Sequence, residues 1–136
     1  MFHGPLYFGT SQEVFDVVYD TGSDWVVVDG YSCKNCQGNV YNTLTSTQAK
    51  EMGNPVSMRA YGSALLYGTE YSDKVCVTKD KGCVENFEYF LITVNQTGLN
   101  EPLDGILGMA RNTQPLLAGV NQYMEIGPIF SDYLAK

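Results

Sequence analysis

The sequence predicts a mainly β fold, and three observations carry that prediction. Runs rich in Val, Ile, Phe, Tyr and Trp recur, among them Val14-Phe15-Asp16-Val17-Val18-Tyr19, Trp25-Val26-Val27-Val28 and Phe87-Glu88-Tyr89-Phe90-Leu91-Ile92-Thr93-Val94; such residues suit a pleated, buried backbone. Clusters of Gly, Pro, Asn, Asp and Ser separate these runs and read as turns. Apolar spacing of a helical kind is confined to short segments, so one or two short helices are all that is expected.

Taken in order, Leu6-Tyr7-Phe8 reads as a short strand that turns at Gly9-Thr10-Ser11 into the run ending at Tyr19, an opening hairpin. Asp20-Thr21-Gly22-Ser23 follows as a sharp turn between two apolar strands. Asp and Gly are ordinary turn residues, since Asp bonds its own backbone and Gly accepts positive φ. The flanking strands change its meaning, because they bury the base of the turn and a buried carboxylate must be paired, hydrogen-bonded or protonated.

Residues 29–54 are dense in Gly, Ser, Thr and Asn and read as loop, with a short helix near Thr47-Gln48-Ala49-Lys50-Glu51. Val56 to Val77 has the composition of a long hairpin with a small polar tip, and a second hairpin joins Lys74-Val75-Cys76-Val77 to the aromatic run beginning at Phe87. A polar loop from Asn95 to Glu101 leads to a buried strand at Ile106-Leu107-Gly108-Met109, and Pro115 to Met124 is expected to form a short helix.

A chain of 136 residues fits one domain with a real core. Its acidic residues outnumber Lys and Arg 15 to 8, and the net charge of -7 with scattered cations argues against nucleic acid and anionic membrane as partners. The sequence contains no apolar run of about 18 residues that could span a membrane and no basic start followed by an apolar core. His3 is the single histidine and lies near a terminus expected to fray, so a Ser-His-Asp triad has no material. Glycine-rich phosphate loops are absent, and neither cofactor nor metal is expected.

Four cysteines fall in two close pairs, Cys33 with Cys36 and Cys76 with Cys83. The first pair has the spacing of zinc ligands. The second flanks a turn-rich linker that lets its members face each other across a hairpin, which favours two local disulfides over zinc. With the glycosylation sequon Asn95-Gln96-Thr97, this points to a secreted or lysosomal/vacuolar location.

Four stretches then carry a resemblance. Phe15-Asp16-Val17-Val18-Tyr19-Asp20-Thr21-Gly22-Ser23 resembles the active-site segment of the pepsin-like aspartic proteases, and Tyr61-Gly62-Ser63 with Gly68 resembles their flap hairpin. Leu103-Asp104-Gly105-Ile106-Leu107-Gly108-Met109-Ala110 is similar to the segment that threads beneath the catalytic loop. Ile129-Phe130-Ser131-Asp132-Tyr133-Leu134 is similar to the strand closing the first lobe. The motifs come in the family's order and cover nearly the whole chain.

The resemblance implies that residues 1–136 form the N-terminal lobe of a bilobal aspartic endopeptidase, with its C-terminal lobe absent from this chain. Asp20 is then the catalytic carboxylate, supported by Thr21, Gly22 and Ser23, with the Ser23 hydroxyl bonding that carboxylate. Tyr61, Gly62 and Ser63 form the flap over a peptide or protein substrate, and Asp104 is structural. A disulfide between Cys33 and Cys36 also agrees with the family. Two departures stand out: Ala64 and Leu65 replace smaller flap residues, and Val27 stands where the family places a tryptophan, with Trp25 two residues earlier on the same face of the strand. No second Asp-Thr-Gly or Asp-Ser-Gly occurs, so the expected partner is a second lobe carrying the other aspartate. The alternative function is a non-catalytic peptide- or protein-binding module on the same scaffold.

Overall fold

The computed structural model describes residues 2–20, 23, 25–61, 63–99 and 103–108. These form β1 (His3–Phe8), β2 (Glu13–Asp20), β3 (Val26–Asp29), β4 (Lys50–Glu51), β5 (Ser57–Tyr61), β6 (Ala64–Thr78), β7 (Lys81–Thr97) and β8 (Gly105–Gly108). All belong to one eight-stranded sheet in the order β1-β2-β8-β3-β7-β6-β4, with β5 paired to β6. β1 also pairs with β6, so the sheet folds back on itself and covers one of its edges.

The opening hairpin forms as expected, but β1 starts at His3 rather than Leu6 and runs antiparallel to β2 from His3↔Val18 to Phe8↔Glu13. His3 is therefore held in a strand, and its Nδ1 lies 2.8 Å from Asp16 Oδ1 on the exposed side of the hairpin, which corrects the expectation of a frayed terminus. Both later hairpins form too, β5 with β6 and β6 with β7. The helix expected near Thr47 to Glu51 does not form. A single 3-10 turn at Thr43–Thr45 takes its place, capped by Asn42 Oδ1 on the Leu44 amide, and Lys50–Glu51 is drawn into the sheet against Tyr71 and Ser72. Edge pairing offers those two residues partners for their backbone groups that an isolated helical turn lacks. The segments expected as a helix at 115–124 and as the closing strand at 129–134 lie outside the described residues.

β3 reads as a continuous apolar run because both of its faces are covered. Val26 and Val28 join Leu6, Phe8, Phe15, Tyr41, Tyr89 and Leu107 in one cluster; Trp25 and Val27 join Ala64, Leu66, Phe90, Ile92 and Ile106 in another. Alternation of two along β3, β7 and β8 sends neighbouring side chains into opposite clusters. Both expected disulfides are present, Cys33 to Cys36 and Cys76 to Cys83, which removes the zinc reading of the first pair.

Candidate active site

Asp20 is the last residue of β2, partly exposed, where the strand leaves the sheet. Its backbone is registered against Gly108 of β8 in a parallel pairing that runs from Val17↔Gly105 to Asp20↔Gly108. Two strands thus fix the stem from which the turn projects. Further along, the Trp25 backbone carbonyl accepts a hydrogen bond of 3.0 Å from the Gly108 amide. A Cβ at Gly108 would sit 2.6 Å from Trp25 N and 2.7 Å from Ser23 O, so only glycine allows β8 this close to Ser23 and Trp25. The expectation that Ile106-Leu107-Gly108 supports the turn from below agrees with this geometry.

Thr21 and Gly22 lie outside the described residues, as does Gly62 of the expected flap. The Ser23 hydroxyl is buried and makes no hydrogen bond with the described residues, Asp20 included. On the hairpin, Tyr61 ends β5 opposite Ala64, the first residue of β6, and Ser63 is exposed at the tip between them. Tyr61 is partly buried and packs on the cluster that contains Trp25 and Val27. Trp25 and Val27 do share a face. Ala64, one of the two departures from the family's small flap residues, is only 3% exposed and packs against Gly98, which lies at φ +90°. The base of the tip is therefore anchored by apolar contact rather than loose.

Asp104 is buried and its carboxylate accepts hydrogen bonds from the Asp16 amide at 2.8 Å, the Asn39 amide at 2.7 Å and Asn39 Nδ2 at 3.3 Å. This is a structural acid, as expected, tying β2 and the loop after β3 to the start of β8. Beside it lies a second buried carboxyl at the end of β3. Asp29 is 3% exposed, and its amide donates to the Asp104 carbonyl at 2.9 Å. Burial, then the neighbouring Asp104 charge, push Asp29 up to about 7, opposed by a hydrogen bond from the Gly38 amide.

Sequence reasoning left three residues out. Asp29 and Tyr41 sit in a stretch dismissed as loop, although a Tyr among small polar residues is a signal for a buried anchor, and Tyr41 is fully buried. Arg59, two residues before Tyr61 and so on the same face of β5, lies over the Trp25 ring at 4.5 Å and bonds Glu70 at 2.7 Å. A lone cation between Met58 and Ala60 was the available sign.

The sequence pattern of the eukaryotic aspartyl proteases matches residues 1–134. Among curated proteins, the chain is 29% identical to pregnancy-associated glycoprotein 2 of Bos taurus, over 96% of this chain and 37% of that protein. It is 29% identical to cathepsin E of Mus musculus, over 99% of this chain and 33% of that one. Vacuolar protease A of Arthroderma otae is 30% identical, over 95% of this chain and 35% of its own length. The chain thus spans about a third of the length of these relatives. Its disulfides fit the oxidising secretory or lysosomal/vacuolar route expected from the sequence, and one relative carries the vacuole in its name. A β sheet with the Asp20 turn seated on β8, a hairpin ending in Tyr61, and a family match along nearly the whole length lead to one conclusion: the chain belongs to the eukaryotic aspartyl protease family.

Proposed function

We propose that the chain is the N-terminal lobe of a two-lobe aspartic endopeptidase that favours acid and cleaves peptides between bulky apolar residues. Asp20 is the catalytic carboxylate of this lobe, and a second lobe supplies its mate. Two carboxyls at contact distance cannot both ionise, so the pair holds one proton. The ionised member takes a proton from water as that water attacks the scissile carbonyl, and the protonated member donates to the carbonyl oxygen. The protons belong to the pair and not to either residue.

In this reading Thr21 and Gly22 support the carboxylate, the Ser23 hydroxyl, which does not bond Asp20 in the lone lobe, turns to it once the second lobe is in place, and Tyr61, Gly62 and Ser63 form a lid over the peptide. A lid that excludes water strengthens every polar interaction beneath it. The observation that carries the proposal is the seating of Asp20 at a strand end pinned by Gly108, since a rigid stem is what a proton-sharing pair requires. Residues 1–136 alone supply one such acid and are expected to be inactive.

The test compares peptidase activity at acid pH of the 136-residue chain with that of a longer version containing the following lobe. Activity only in the longer form, abolished by Asp20→Asn, is the expected result. Activity of the short form that Asp20→Asn abolishes would instead mean pairing between two copies. Peptide binding without cleavage in either form would mean a non-catalytic binding module.

A further inference from the structure

Arg59 lies in β5 on the half-buried face of the strand, between two exposed neighbours. Its guanidinium lies over two aromatic rings, 4.5 Å from the Trp25 centroid and 5.0 Å from that of Phe90. Nη2 bonds Glu70 Oε2 at 2.7 Å, and Glu70 Oε1 accepts from Asn54 Nδ2 at 3.0 Å. Arginine and glutamate are both about four-fifths covered, with 22% and 21% of their side chains exposed. Arginine's flat, weakly hydrated cation suits stacking on rings while its edge bonds a carboxylate, which lysine does less well.

The three elements joined here are the ones that matter to the site. Arg59 belongs to β5 and shares a face with Tyr61. Phe90 lies in the centre of β7, in the sheet's core. Trp25 is the first described residue after Ser23, and its carbonyl bonds the Gly108 amide that is in register with Asp20. A continuous path therefore runs from the hairpin strand through Arg59 and Trp25 to the stem of the Asp20 turn.

We propose that Arg59 is a positioning residue, whose stacking on Trp25 and Phe90, anchored by Glu70, sets where the Tyr61 hairpin lies against Trp25, the residue that follows the Asp20 segment. The clamp stands on geometry alone, whereas its consequence for peptide turnover rests on the proteolytic reading above. Trp25 occupies the position that makes this possible: it lies in the cluster on which Tyr61 packs and is stacked by the Arg59 cation, so the cation adds a directional contact to the apolar one. Glu88 is on the same side of the sheet, where burial and then the neighbouring Glu70 raise its pKa; the guanidinium's ion pair is with Glu70, at 2.7 Å.

Trp25 is the single tryptophan, so its emission reports the clamp without labels. In the 136-residue chain, Arg59→Met is expected to red-shift that emission, raise its acrylamide quenching about twofold and speed amide exchange over residues 57–66 about tenfold. Arg59→Lys is expected to restore part of each change. Should Arg59→Met not fold, Glu70→Gln tests the same anchor with a near-isosteric change and must shift the emission in the same direction. Unchanged emission and exchange in a folded variant would overturn the proposal. In the two-lobe protein, Arg59→Met is expected to raise KM with kcat little altered. Loss of all cleavage in the parent protein with the spectral shift intact would remove the proteolytic reading and leave the clamp standing.

Discussion

At the scale of single residues, Asp73 illustrates how this chain keeps a buried carboxyl group satisfied. It has no solvent exposure, yet its carboxylate accepts from the Tyr41 hydroxyl at 2.6 Å, Ser46 Oγ at 2.8 Å and the Lys74 amide at 2.8 Å. The donors come from the loop after β3 and from the strand itself, so the acid ties that loop to β6. Burial, then the hydrogen bond to Asp73, raise Tyr41 above the ordinary range of a phenol, which keeps it a donor at every relevant pH. Tyr41→Phe removes one donor and leaves a buried carboxylate short of a partner, and such a loss costs about 1–3 kcal/mol. Urea unfolding of the variant beside the parent chain measures it; no change in midpoint would mean that Ser46 and Lys74 suffice.

At the scale of elements, the long β6–β7 hairpin supports the strand that β5 and its Tyr61 pair with. Its register shifts between Tyr67 and Thr69, and at Gly68 between them an added Cβ would run into the Leu91 carbonyl of β7. Glycine is required there by close backbone approach and not by its φ. Gly68→Ala is expected to push the two strands apart and destabilise the chain by about 1–3 kcal/mol, read as a lower thermal midpoint. At the other end of the hairpin, Cys76 and Cys83 sit directly opposite each other and close a short loop. Replacing both with serine should cost about 2–3 kcal/mol on the loop-closure argument, measured by denaturation without reductant. A larger loss there than on replacing Cys33 and Cys36 is expected, because Cys76 is fully buried against the core.

At the scale of the whole molecule, the buried acids make stability depend on pH. Asp29 is raised from 3.8 to about 7 by burial first and by Asp104 second. Between those values the folded chain holds a proton that the unfolded chain has released. The sign follows: the contribution is complete below about 4 and is lost as pH rises through about 7. It amounts to a few kcal/mol, at about 1.4 kcal/mol per pKa unit. The chain is therefore expected to melt at a higher temperature at pH 5 than at pH 7.5, an acid preference that suits a vacuolar route. Asp29→Asn, which keeps the neutral form's shape, should flatten that difference; an unaltered slope would place its origin elsewhere.

The sequence by itself determined that this is a β protein, where its hairpins turn, which cysteines pair and which acid stands at the end of β2. Each of those is a local matter: alternation and residue type set a strand, Gly and Asp set a turn, and seven residues of separation let Cys76 meet Cys83. Only the tertiary structure decided what happened between distant segments. Lys50 and Glu51 became an edge strand because β6 was there to pair with them. The loop holding Tyr41 and Ser46 became an anchor because Asp73 was buried opposite, and Arg59 of β5 met Trp25, the residue before β3, only because the folded sheet brings the two together. Asp29 and Asp104 lie 75 positions apart in the numbering, and no pattern of local periodicity reveals that β8 inserts between β2 and β3 and brings the two carboxyls together. Contacts of that kind depend on strand order, and strand order is settled by which faces must be buried together.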